Sequence, residues 1–80
     1  MPTNNLNLVK NNINELPNNI EAEQAVIGSI LLSNEIFDEI NTIISNKNFY
    51  DPMHQKIFGA IEKLIYSGML ANPITLKNYF

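Results

Sequence analysis

Residues 51–68, DPMHQKIFGAIEKLIYSG, decide the fold. Asp51 is an N-cap candidate and Pro52 suits the first helical position, where a missing N–H costs nothing. Ile57, Phe58, Ile61, Leu64 and Ile65 recur at helical spacing and make one buried stripe. Gln55, Lys56, Glu62, Lys63 and Tyr66 then face outward. Gly68 stands where a left-handed residue would stop the helix. His54 breaks the pattern, because it falls on the apolar stripe within the first turn.

The preceding sequence supplies partners for that stripe. Phe49 and Tyr50 follow a polar turn over 45–48. Before the turn, Ile36, Phe37, Ile40, Ile43 and Ile44 predict a short second helix from about Glu35 to Ile44, with Ser33 and Asn34 as cap candidates. A first helix is expected from about Ile20 to Leu32. Asn18 or Asn19 caps it, and Glu21 stands three residues after Asn18 as in a capping box. Ile20, Val26, Ile27, Ile30 and Leu31 share one face of this helix, and Glu23 projects onto the same face. Gly28 lies near the opposite side at a cost of roughly 1 kcal/mol relative to Ala. Close approach of another helix is the expected reason for it.

The flanks read differently. Residues 1–17 are rich in Asn, show no firm stripe and are expected to form a flexible tail, with Leu16 and Pro17 docking on the domain. After Gly68, a linker from Met69 to Ile74 contains Pro73. Thr75 is expected to cap a further helix that has barely begun at Phe80. An isolated turn is unstable without packing or continuation. The chain therefore reads as cut inside an element, by excision or by a truncated coding sequence. The expected fold is all-α: a small orthogonal bundle over 18–80 of about three full helices plus the start of a fourth.

Composition narrows the function. The 80 residues hold one small domain at most. There is no Cys, so disulfides, thiolate metal sites and thiol nucleophiles are excluded. One His cannot build a zinc site without several carboxylates. Net charge is −3 and the five cations are all Lys, which suits neither a phosphate-binding face nor guanine recognition. No run approaches the roughly 20 apolar residues of a membrane span, and the N-terminus lacks a signal peptide's basic start and apolar core. A cytoplasmic protein with no direct nucleic-acid or membrane binding is expected. The phosphate-loop pattern is absent and no catalytic triad can be assembled.

Glu23 and His54 are the structural polar candidates, since each is costly to bury without a partner. Either the two helix starts converge and the side chains pair, or His54 is a half-buried core residue with a backbone or water partner. Phe49 reads as a core plug between the second and third helices, or with Tyr50 as an exposed aromatic anchor. Tyr66 and Gly28 are further packing or interface candidates, and Asn19, Asp51 and Thr75 are the expected caps. Paired carboxylates such as Asp38 with Glu39 read as solvent-face charges. Leu32, Met53, Met69, Leu70 and Phe80 exceed what so short a chain can bury, a mark of an interface or of a missing partner segment.

These blocks carry a resemblance. Leu16-Pro17, followed by Ile20-Glu21-Ala22-Glu23-Gln24-Ala25-Val26-Ile27-Gly28, resembles the opening signature of the DnaB-type replicative DNA helicases. Leu31-Leu32 with Asn34-Glu35, Phe49-Tyr50 with His54-Gln55-Lys56-Ile57-Phe58, and Ser67-Gly68 with Ile74-Thr75-Leu76 resemble its following blocks in order. Asn72, where Asp is common, and Pro73 depart from the pattern. The resemblance covers about residues 16–80. It implies the first part of the family's N-terminal helical domain. The RecA-like ATPase domain, with its ATP and Mg sites and DNA-binding loops, would lie in a missing C-terminal part, so no cofactor is expected here.

By that resemblance the parent would be a bacterial ATP-dependent 5′–3′ DNA helicase of the primosome. This fragment would be no enzyme. It would contribute to the ring collar of the parent hexamer through self-association and would dock primase, with a helicase loader as a further partner. A different class of protein, an unrelated helical regulator or DNA-binding factor fragment, would need a recognition helix with exposed cations. The third helix offers only Lys56 and Lys63.

Overall fold

The computed structural model describes residues 19–80. The expected tail over 1–17 and Asn18 as a cap lie outside the described residues. Among the described residues the fold is all-α. It comprises α1 (Ile20–Leu32), α2 (Phe37–Asn41), α3 (Pro52–Tyr66) and α4 (Pro73–Tyr79), with 3₁₀ turns at Asn34–Ile36 and Asn46–Asn48.

Local chemistry sets the ends of α1 and α3. The Asn19 side chain accepts the Ala22 N–H at 2.9 Å, which caps α1 with Asn19 itself. Asp51 accepts the Met53 N–H at 2.7 Å, and Pro52 begins α3. At the far end of α3, Gly68 has φ +80°. Its N–H reaches the Ile65 carbonyl at 3.0 Å, and the Met69 N–H reaches Leu64 at 2.9 Å. These two bonds are a Schellman motif, which satisfies carbonyls that the helix would otherwise leave open.

The second helix is much shorter than its apolar spacing predicts. A 3₁₀ turn replaces its beginning and α2 stops at Asn41. The Thr42 hydroxyl donates to the Glu39 carbonyl at 2.6 Å, and the Thr42 and Ile43 N–H groups bond three residues back rather than four. A β-branched run beginning with a back-bonding Thr favours this early stop. Ile43 is consequently exposed, while Phe37 and Ile44 remain buried. Neither Ser33 nor Asn34 caps α2: Ser33 makes no side-chain cap bond, the residue before α2 is Ile36, and the Asn34 amide bonds back to the Ile30 carbonyl at 2.8 Å.

A second correction concerns the C-terminal segment. The expected linker over 69–74 is shorter, because Pro73 starts α4 and Asn72 is its cap. Asn72 accepts the Ile74 and Thr75 N–H groups, each at 2.9 Å, while the Thr75 hydroxyl accepts the Asn72 N–H at 2.9 Å. Thr75 is the reciprocal member of a capping box, not the cap. Asn at the boundary followed by Pro at the first helical position favours this start.

The core forms where α1 and α3 meet, closed by the segment between them. Ile27 and Ile30 come from α1, Phe58, Ile61 and Leu64 from α3, and Phe37, Ile44 and Phe49 from the connecting segment. Phe58 lies at the centre, its ring centroid 5.0 Å from Phe49 and 5.4 Å from Phe37. Burying each ring contributes about 1.5–3 kcal/mol, and aromatic pairing adds about 0.5–1.5 kcal/mol per pair. Ile20, though on the expected apolar face, is left at the exposed margin as the first residue of α1.

Gly28 does not mark close approach of another helix, since a Cβ built there meets nothing within 4 Å. The two glycines should therefore respond oppositely to alanine in a urea-unfolding comparison. Gly28→Ala should stabilise by about 0.5–1 kcal/mol through helix propensity. Gly68→Ala should destabilise by about 1–2 kcal/mol through its left-handed backbone.

Candidate protein-interaction site

Glu23 has no accessible surface, although a carboxylate is costly to bury. Three donors converge on it. His54 Nδ1 lies 2.7 Å from Oε1, the Tyr50 N–H donates to Oε2 at 2.6 Å, and the Asp51 N–H donates to Oε1 at 3.3 Å. The two peptide N–H groups lie just before α3, where the positive end of its dipole favours an anion.

The surroundings hold this arrangement in place. Phe49 is buried, with its ring edge-on to His54 at a centroid distance of 6.4 Å. The Gln55 side chain, expected to face outward, instead donates to the Phe49 carbonyl at 2.7 Å. Among the described residues no buried side-chain nitrogen or oxygen lacks a partner. The structure thus brings Glu23, His54 and Phe49 together and separates Tyr50 from them. The Tyr50 backbone serves the carboxylate while its side chain is exposed.

Tyr66 is divided in the same manner. Its ring meets Phe37 edge-on at 5.8 Å and its hydroxyl accepts from Asn41 at 3.1 Å, yet most of the side chain is exposed. Two residues with larger roles escaped the sequence reading. Ala71 is fully buried within the expected linker, and the Asn34 side chain contacts its backbone across 37 positions of sequence. Neither carries a periodic signal. The one available hint is a small residue standing between a helix stop and a capped Pro.

The surface is unusually apolar for a closed core. Leu32 is 91% exposed, Ile74 70%, Phe80 65% and Leu70 62%, and Met53 and Met69 are also open. Among the described residues no three His, Cys, Asp or Glu side chains gather as metal ligands. No described helix is long and apolar enough to cross a membrane. What the surface presents is exposed apolar area with scattered charge.

Fold and surface together define an all-α module with its own core and surplus apolar surface. The chain belongs to the DnaB-like helicase N-terminal domain family, whose model matches residues 15–80. It is 42% identical over 94% of its length to the replicative DNA helicase DnaB of Rickettsia typhi, and 40% identical over 89% of its length to that of Rickettsia prowazekii. The corresponding protein of Buchnera aphidicola subsp. Baizongia pistaciae is 41% identical over 79% of the chain. The chain spans 16% of the length of both Rickettsia relatives and 14% of the Buchnera one. No solved structure gives a significant match.

Glu23→Ala would strand His54 and two peptide N–H groups in the core. It should cost about 3–5 kcal/mol, enough to unfold much of the population at 25 °C by far-UV circular dichroism. In a double-mutant cycle with His54→Ala, the losses should fall short of additive by at least about 1 kcal/mol.

Proposed function

We propose that this chain is an assembly and docking module of a replicative DNA helicase, and that it acts by contact. The supporting observation is the exposed apolar group Leu32, Leu70, Ile74 and Phe80 on a domain whose core is already closed. Membership of the N-terminal-domain family supplies the context. In this reading the module associates with copies of itself in the collar of a helicase ring and receives primase, with a loader protein as a further partner. ATP-driven unwinding in chromosome replication belongs to the rest of such a helicase. The module itself takes no nucleotide or metal and works in the cytoplasm.

Charge argues against a DNA-binding role for the module. Lys56 and Lys63 are exposed on α3, but the whole chain carries five cations against eight carboxylates. Phosphate contact requires a denser positive face.

Sedimentation velocity of the 80-residue chain, alone and with the C-terminal domain of a primase, tests this reading. Concentration-dependent self-association or a faster mixed boundary is expected. Ile74→Asp or Phe80→Asp should weaken it at least about tenfold with the circular dichroism spectrum unchanged, because each places a charge on apolar contact surface. A chain that stays monomeric and ignores primase refutes the proposal. Steeply salt-dependent binding to duplex DNA would favour a regulator instead.

A further inference from the structure

The apolar spacing of residues 36–44 marks Ile43 for burial, yet Ile43 lies outside the core. Helix α2 stops at Asn41, and the Ile43 N–H bonds the Ile40 carbonyl three residues back at 2.9 Å. The tighter turn carries Ile44 into the core at 2% exposure and leaves Ile43 at 56%. Ile43 and the half-buried Ile40 are the apolar members of an open groove of about 640 Å³, which Asp38, Glu39 and Thr42 complete. The groove lies in the middle of the sequence. It shares no residue with the exposed group Leu32, Leu70, Ile74 and Phe80.

The charge on this part of the molecule has one sign. From Ile20 to Asn46 the chain holds Glu21, Glu23, Glu35, Asp38 and Glu39 and not one lysine. Glu23 is buried against His54, whereas Glu21, Glu35, Asp38 and Glu39 are all exposed. Among the described residues no lysine pairs with any carboxylate. The Thr42 hydroxyl is already committed to the Glu39 carbonyl. The groove therefore combines an apolar floor with two adjacent carboxylates that lack a counter-charge.

We propose that this groove docks a basic amphipathic segment of another protein. An apolar side chain of the segment covers Ile40 and Ile43, and its lysine or arginine groups meet Asp38 and Glu39. Both halves of that chemistry are needed. A neutral apolar segment would desolvate the two carboxylates without compensation, and an acidic one would be repelled. A second copy of this chain meeting the same face would set Asp38 and Glu39 against themselves, so the two-fold arrangement usual for identical chains is disfavoured. The lysine-free surface around the groove favours approach of a cation from solution.

Fluorescence anisotropy with the 80-residue chain tests this at about 150 mM salt, where long-range attraction between exposed charges is screened. The probe is a short fluorescein-labelled peptide rich in lysine, with leucine at every fourth position. Saturable binding is expected. Ile43→Ser should weaken it at least about fivefold through loss of an apolar anchor. Asp38→Asn combined with Glu39→Gln should weaken it at least about threefold, the contribution of two exposed ion pairs. Glu21→Gln removes a charge outside the groove and should leave binding unchanged. Each altered side chain is exposed, so circular dichroism should report an unaltered fold in every variant. Absence of saturable binding, a groove variant that binds as tightly as the parent, or a loss in Glu21→Gln equal to that in the groove variants would each overturn the proposal. Self-association in sedimentation that Ile43→Ser abolishes would assign the groove to a second copy and overturn it too.

Discussion

A carboxylate with no access to water can exist in this fold only if its lone pairs are met. Glu23 meets that condition with one imidazole and two peptide N–H groups, all from residues 50–54. This contact dictates how α1 lies against the start of α3. A one-residue shift of α1 would turn Glu23 by about 100° around the helix axis and abandon all three donors. Apolar contact is non-directional and specifies register less sharply than hydrogen bonds do. The net energy of a buried ionic contact is modest once desolvation is subtracted. Its effect here is to single out one register.

Phe49 and Tyr50 inherit their positions from that constraint. With the backbone of Tyr50 and Asp51 fixed on Glu23, successive side chains diverge: Phe49 enters the core beside Phe58, and Tyr50 remains outside. The same aromatic pair thus serves packing and surface at once. The core that results is complete, with Phe37, Phe49 and Phe58 fully enclosed. The exposed apolar residues lie outside that core. The chain that carries them belongs to the DnaB-like helicase N-terminal domain family.

Asparagine holds several joints of this fold. Asn19 and Asn72 cap helices, and Asn48 accepts the Ser45 N–H at 2.7 Å to close the turn before Phe49. Those are local tasks for which a short amide or acid side chain is suited. Asn34 is different. It works across 37 residues, pairing with both backbone polar groups of Ala71 just before α4.

Helix α1, helix α3, their caps and the Gly68 stop were all legible in the sequence. Each depends on groups within a few residues, and periodic burial marks the rest. The family resemblance was legible too, because it resides in the order and spacing of short blocks. Glu23 and His54 could be recognised as misplaced polar residues, but either pairing or separate satisfaction was compatible with the pattern. Tertiary structure decided between them, and it also shortened α2, moved the α4 cap to Asn72 and used Ala71 as core. The reason is the range of the forces involved. Capping and backbone conformation are settled between neighbours, whereas a buried polar atom is satisfied by whatever the fold carries to within about 3 Å of it.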